Sequence, residues 1–311
     1  MRPVARRGSI VARGAPPWTL ASAGSAPISS RDPAAADPSQ RVPARRHHDL
    51  PLLQRLRQLA ADGPIVVAHR GDSRNFPENT LPAFAVAVQL GVAMIEFDVQ
   101  ATADQVLVCL HDDTLDRTTD ALRVLGAGAL VAQSQYAELS ALDAGSWKGT
   151  QHRGARVPTL EEALAVMLPR AVPMIEHKGG RPELYVELLR RLGLGDAVLL
   201  QSFDWEFLAA VRRLEPRIEL GALGPNARWP ALTPPAIAAA QALGAGFVHW
   251  RALELRGAQV DAAHQAGLLV VSYTTDDEIG LRGGALMGID AMCTNDPANM
   301  LALRGSGALR R

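Results

Sequence analysis

Eight short apolar runs, at 64–68, 94–99, 172–176, 197–202, 218–222, 246–250, 268–273 and 290–294, recur along the chain, most of them separated by a helical pattern. Alternation of this kind restricts a chain to helices packed on a mostly parallel sheet. The helical pattern is plain in Asn79–Leu90, where Leu81, Phe84, Ala85 and Val88 share one face. It recurs in Thr159–Met167, which begins with a capping-box spacing, and in Pro182–Leu192, Asp204–Leu214, Pro235–Leu243, Ala258–Ala266 and Asp276–Met287. Gly91, Gly193, Gly244, Gly267 and Gly288 stand where helix C-caps are expected. Eight strands alternating with helices in about 250 residues predict an α/β fold, a (β/α)8 TIM-type barrel. The alternative, an open doubly wound sheet, usually carries a glycine-rich turn after its first strand, and no GxGxxG follows Ile65–Ala68.

The ends of these runs carry the chemistry. His69-Arg70-Gly71, Glu96-Phe97-Asp98, His111-Asp112 and Glu176-His177-Lys178 each close an apolar stretch. Charge at the end of a buried strand is costly to desolvate, so four such clusters point to a site. Strand alternation puts Glu96 and Asp98 on one face with Phe97 opposite, and Glu176 and Lys178 on one face with His177 opposite. In a barrel these strand ends line the C-terminal mouth. Clustered carboxylates suit a hard divalent cation, Arg and Lys an anion, and paired histidines proton transfer. The remaining histidines read as ordinary: His47 and His48 lie in the leader, His152 in a loop, His264 on a helix and His177 on the packed face. His249 ends a strand beside Trp250 and Arg251, and contact with substrate stays open there.

The run Val106–Leu110 follows the second strand too closely for a helix to intervene and reads as an antiparallel return strand. A tight turn at Asp104-Gln105 would set Asp98 opposite His111. The segment of about 113–157 is too long for an ordinary βα loop and reads as an insertion over the barrel mouth.

Residues 1–48 are rich in Ala, Pro, Ser and Arg and predict a disordered leader, with the barrel over 49–311. Arg6-Arg7, Ile10-Val11 and Ala21-Ser22-Ala23 hint at a twin-arginine export signal, but Arg13, Pro16 and Pro17 break its apolar stretch. A cytoplasmic location is the primary expectation and export the alternative. Lys and Arg total 32, as do Asp and Glu, so no basic field exists to attract nucleic acid. No run is long enough for a membrane helix. Cys109 and Cys293 lie in apolar runs and read as reduced core thiols.

His69-Arg70-Gly71, Pro77-Glu78-Asn79-Thr80, Glu96-Phe97-Asp98, His111-Asp112-Asp113-Thr114-Leu115-Asp116-Arg117-Thr118, Pro158-Thr159-Leu160-Glu161-Glu162, Glu176-x-Lys178, Ser202-Phe203-Asp204 and Thr294-Asn295-Asp296-Pro297 follow one another in order. Together they resemble the glycerophosphodiester phosphodiesterase family. The resemblance implies a TIM-type barrel with a segment inserted after its second strand. It implies hydrolysis of a small-molecule glycerophosphodiester to glycerol 3-phosphate and an alcohol. His69 and His111 would be the acid and base, Arg70 and Lys178 the phosphate binders, and Glu96, Asp98 and Glu176 the ligands of Ca²⁺ or Mg²⁺. Attack by water and attack by the substrate's own glycerol 2-hydroxyl both stay open, as does the assignment of acid and base. His177 stands at a position usually aliphatic in the family, and Tyr273-Thr274 replaces a common Trp-Thr. Two rivals remain: a related barrel phosphodiesterase acting on lysophospholipids or phosphoinositol, and a binding protein without activity.

Overall fold

A computed structural model describes residues 50–310. The leader reading for 1–48, with its twin-arginine pattern, His47 and His48, lies outside the described residues.

Eight parallel strands close into a barrel: β1 (Ile65–His69), β2 (Met94–Ala101), β4 (Val172–His177), β5 (Leu199–Ser202), β6 (Glu219–Gly224), β7 (Phe247–Arg251), β8 (Leu269–Tyr273) and β9 (Ala291–Thr294). Neighbours pair in that circular order, and β1 pairs with both β9 and β2 to complete the ring. Helices α2 (Leu81–Leu90), α5 (Leu160–Met167), α6 (Pro182–Leu192), α7 (Trp205–Leu214), α8 (Pro234–Ala242), α9 (Gly257–Gln265), α10 (Glu278–Leu286) and α11 (Pro297–Gly305) follow the strands and form the outer layer. The expected C-cap glycines all adopt positive φ, from 70° to 83°. Thr159 caps α5, its hydroxyl accepting from the Glu162 N–H while the Glu162 carboxylate accepts from the Thr159 N–H.

Period-2 alternation sorts each strand between two cores. Outward residues such as Ala68, Ile95, Phe97, Ile175, Leu200 and Val248 pack against the helices, and Phe97 meets Phe84 of α2 edge-on at 5.4 Å. Inward residues Ile65, Val67, Met94, Met174, Leu199, Phe247, Val271 and Cys293 fill the lower lumen. The opening helix α1 (Leu52–Ala60) seals that end, inserting Leu52, Leu56 and Ala60 into the same core. Gly221 on β6 makes room for the Phe247 ring, which a Cβ there would overlap. Both cysteines are buried and free.

The return strand β3 (Leu107–Cys109) pairs antiparallel with β2, but in a register one residue from the expected one: Val99 opposes Cys109, and Leu110 N–H donates to Asp98 O. The loop holds three residues, not two. Thr102 N–H donates to Val106 O at 3.0 Å, and Gln105 takes φ 64°, the left-handed residue of a three-residue hairpin. Val99 also pairs with His177 of β4, so β3 occupies the opposite edge of β2, the edge that β1 leaves at His69–Glu96. That placement, and not direct opposition to Asp98, brings His111 to the mouth.

Between β3 and α5 the chain forms the short helices α3 (Ala121–Val124) and α4 (Tyr136–Ala141) around their own core of Val108, Leu110, Leu115, Val131, Leu139, Leu142 and Val157. This segment leans on the β1–α2 loop. Lys148 Nζ donates to Ser73 O at 2.7 Å, and the His152 ring packs on Phe76 at 5.3 Å.

Candidate active site

Strand ends β1, β2 and β4 and the segment after β3 deliver His69, Arg70, Glu96, His111, Glu176 and Lys178 to one pocket of about 390 Å³. Glu96, Asp98 and Glu176 are buried, each with a carboxylate oxygen within 4.8 Å of the others'. Among the described residues, neither Glu96 oxygen nor Asp98 Oδ1 has a hydrogen-bond partner. Burial and the neighbouring Asp98 and Glu176 push the Glu96 carboxyl well above the usual carboxylate range. Burial and Asp98 raise Glu176 to about 7, against the pull of Lys178. Burial would raise Asp98 too, but Arg70, Lys178, His111 and the Asn79 amide outweigh it and hold Asp98 low. Three crowded carboxylates with unused oxygens make a donor set for a hard divalent cation, whose charge would favour ionisation of all three.

Two cations flank this group. Lys178 Nζ lies 2.5 Å from Glu176 Oε1 and 3.5 Å from Asp98 Oδ1. Arg70 Nε lies 3.1 Å from Asp98 Oδ2, and its Nη1 donates to Glu78 Oε1 at 2.6 Å. Arg70 adopts φ 60° and Gly71 φ 84°. The reversal turns the chain back beneath α2, where a Cβ on Gly71 would strike Ala83.

The hydrogen bonds around the two histidines define their tautomers. Asn295 Nδ2 donates to Asp276 Oδ2 at 2.8 Å, which assigns Asn295 Oδ1 as an acceptor. His69 Nδ1, 2.7 Å from that oxygen, must therefore donate, leaving Nε2 toward Glu96 at 3.8 Å. Burial, with Arg70 next, lowers the His69 pKa. His111 Nδ1 lies 2.6 Å from Asp112 Oδ1, and an ionised carboxylate only accepts, so its Nε2 is again the disengaged nitrogen. Gln100 Nε2 donates to both Leu110 O and Asp112 O and so clamps the backbone on either side of His111.

The other histidines lie elsewhere or are engaged. His177 faces the helix layer, stacked on Phe207 at 3.5 Å and bonded to Ser202 Oγ and Gly180 O. His264 pairs with Asp290 at 2.7 Å. His249 lines the pocket floor, with Nδ1 on Gln201 Oε1 at 2.7 Å; burial, then His69, drives its pKa to about 3. Phe203, Leu223 and Tyr273 form the remaining wall, Tyr273 Oη donating to Gly224 O at 2.9 Å. Sequence reading assigned no role to Asn79, Asn295 or Asp276. Asn79 grips Asp98 twice, its Nδ2 donating to Oδ2 and its Oδ1 accepting from the Asp98 N–H. Asn79 and Asn295 were visible as motif residues, but nothing local marked Asp276 as the residue that orients Asn295.

A closed (β/α)8 barrel with a carboxylate cluster, two cations and two oriented histidines at its C-terminal mouth has the active-site placement of a barrel enzyme, with donor sets suited to a divalent cation and to an anion. Residues 69–299 match the glycerophosphoryl diester phosphodiesterase family, and the chain belongs to it. It is 31% identical over 253 residues to a glycerophosphodiester phosphodiesterase of Caldanaerobacter subterraneus subsp. tengcongensis, spanning 78% of this chain and 98% of that protein. A glycerophosphodiester phosphodiesterase of Bacillus subtilis is 31% identical over 260 residues, 77% of this chain and 86% of its own. Among solved structures, a phosphodiesterase of Oleispira antarctica in complex with the product sn-glycerol-3-phosphate superposes with TM-score 0.69 at 29% identity, covering 77% of this chain and 96% of that one.

Proposed function

We propose that this protein hydrolyses glycerophosphodiesters to glycerol 3-phosphate and an alcohol, and that residues 49–311 form the catalytic unit. The observation that carries this reading is the convergence of His69, Arg70, Glu96, His111, Glu176 and Lys178 on one pocket, in a member of this family. Glu96, Asp98 and Glu176 would hold Ca²⁺ or Mg²⁺, which when bound neutralises phosphate charge as a Lewis acid. Arg70 and Lys178 bind the non-bridging phosphate oxygens, where they gain most as charge accumulates in the transition state. One histidine takes the proton of the attacking oxygen, that of water or of the substrate's own glycerol 2-hydroxyl, through its free Nε2, and the other protonates the departing alkoxide; where the 2-hydroxyl attacks, water then opens the cyclic phosphate with the two roles reversed. The P–O bond to the alcohol breaks as the new P–O bond forms; each displacement swaps the protonation states of the two imidazoles, and the second displacement, or proton exchange with solvent after direct attack by water, restores them. Phe203, Leu223 and Tyr273 give the pocket an apolar side beside its charged one. A bound product in a homologous barrel, sn-glycerol-3-phosphate, supports the assignment of substrate class.

The test is release of the free alcohol, choline or ethanolamine, from glycerophosphocholine, glycerophosphoethanolamine, lysophosphatidylcholine and phosphatidylcholine, each with and without EDTA, with glycerol 3-phosphate identified as the other product of the deacylated diesters. Hydrolysis of the deacylated diesters that chelation abolishes is the expected result. Equal turnover of diacyl lipid, whose glycerol hydroxyls are esterified, would refute a pocket for free glycerol. Among the described residues, no helix is long and apolar enough to cross a membrane.

A further inference from the structure

An unbroken line of charged contacts runs along the rim of the site from one histidine to the phosphate-facing arginine. His111 Nδ1 meets Asp112 Oδ1 at 2.6 Å. Arg117 reaches the same carboxylate with Nε on Oδ2 at 2.6 Å and Nη2 on Oδ1 at 2.9 Å. The other edge of the same guanidinium grips Glu78, with Nη1 on Oε2 at 3.0 Å and Nη2 on Oε1 at 2.9 Å. Glu78 Oε1 in turn accepts from Arg70 Nη1 at 2.6 Å, and Arg70 Nε lies 3.1 Å from Asp98. Arg117 does not itself line the pocket.

Resting on the hydrolase reading above, we propose that Arg117 is a positioning residue: it holds the His111 imidazole and the Arg70 guanidinium in one geometry, so that the segment inserted after β3 sets the site it overhangs. The chemistry is specific to arginine. Two carboxylates are gripped in fork geometry by a single planar group, which the point charge of a lysine cannot do. The grip has a firm base. Leu115 is fully buried in the core of the inserted segment. Thr119 Oγ1 donates to Leu115 O at 2.6 Å, and Asp116 Oδ2 accepts from the Gly128 N–H at 2.8 Å. On the far side, Glu78 belongs to a loop tied to the barrel through Asn79 and Asp98. Hydrogen bonds from Arg117 and then His111 hold the Asp112 carboxyl below the usual carboxylate range; burial would raise Glu78, but Arg117 and Arg70 outweigh it and hold Glu78 low as well. An ionised Asp112 keeps the proton on His111 Nδ1 and directs Nε2 away from the network. An exposed ion pair with no partner in the site would contribute little. Arg117 is 44% exposed, but each of its carboxylate partners also holds a group that lines the pocket.

The experiment is a double-mutant cycle on the full chain, measuring kcat and KM for glycerophosphocholine, together with melting temperatures. The variants are Arg117→Ala, Arg117→Lys, His111→Ala and the Arg117→Ala/His111→Ala pair. Arg117→Ala should lower kcat roughly 10-fold or more with its melting temperature nearly unchanged. Arg117→Lys should not recover it, and free guanidinium should raise the kcat of Arg117→Ala while leaving the wild type unaffected. Once His111 is gone, further loss of Arg117 should cost clearly less in kcat than it does in the wild type, the remainder being its hold on Arg70 through Glu78. Wild-type kcat in Arg117→Ala, or losses that multiply in full in the pair, overturns the positioning role while leaving the hydrolase intact. Absence of wild-type turnover instead removes the hydrolase reading and the positioning role with it, whereas an unimpaired His111→Ala leaves the hydrolase but removes His111 as acid or base and, with it, the positioning role.

Discussion

The two ends of the barrel lumen are built from the same strands and the same inward positions, yet they have opposite characters. At the closed end Met94, Met174, Leu199 and Phe247 interlock beneath α1 with no charge among them. Two residues further along β2 and β4, at the mouth, the inward positions are Glu96 and Glu176. The first region gains stability from packing. The second holds Glu96 and Glu176, whose pKa burial and then repulsion from neighbouring carboxylates drive upward. One end of the barrel stabilises an arrangement that the other end would not tolerate alone.

That contrast can be broken experimentally. The largest expected effect is on turnover: His69→Ala and His111→Ala should each lower kcat by roughly 10²-fold or more, with far-ultraviolet circular dichroism unchanged. Exhaustive chelation should likewise abolish activity, and added Mg²⁺ or Ca²⁺ should restore it. Activity that survives chelation would mean the three carboxylates serve another purpose. Met174→Ala at the closed end should behave in the opposite way, losing about 2–5 kcal/mol of stability in denaturant titration while the folded protein keeps its kcat. His177→Ala sharpens the comparison further. It lies between Glu176 and Lys178 in sequence but packs outward on Phe207, so kcat should change less than about threefold while the melting temperature falls by a few degrees. If turnover collapses instead, the strand-face assignment of β4 fails.

The smallest effect lies far from the mouth. Arg217 and Arg190 hold Glu215 at about 2, below its ordinary 4.5. A lowered folded-state value stabilises above the unfolded one, and that contribution disappears as pH falls from 4.5 to about 2. Both arginines are well exposed, so the effect is modest. Glu215→Gln should therefore lower the melting temperature at about pH 7, with a gap from the wild type that narrows below pH 4.5 and closes only near pH 2. An equal gap at both pH values would remove the ion pairs from the account.

Much of this molecule can be read from local pattern. Glu96 and Asp98 announce a shared face because strand side chains alternate with period two, and the same rule turns Phe97 and His177 outward. Helix ends are equally legible, since Gly91 and Gly193 supply a left-handed residue that few others adopt. The hairpin between β2 and β3 is less so. Whether its loop holds two residues or three depends on the φ of Gln105, and that choice moved His111 by one position.

What local pattern could not reach are the contacts that close over long separations. Asn295 orients His69 across 226 residues, and Arg117 meets Glu78 across 39. A hydrogen bond between distant loops leaves no periodicity in a chain, because each partner sits in an irregular segment whose side-chain direction is set by its surroundings. Sequence alone therefore determined the alternation of strands and helices, the inward and outward faces, and the residue types offered to a cation and a phosphate. Only the closed barrel decided which nitrogen of each histidine stays free and which carboxylates go without hydrogen-bond partners, since those follow from distances that exist only once β1 meets both β9 and β2.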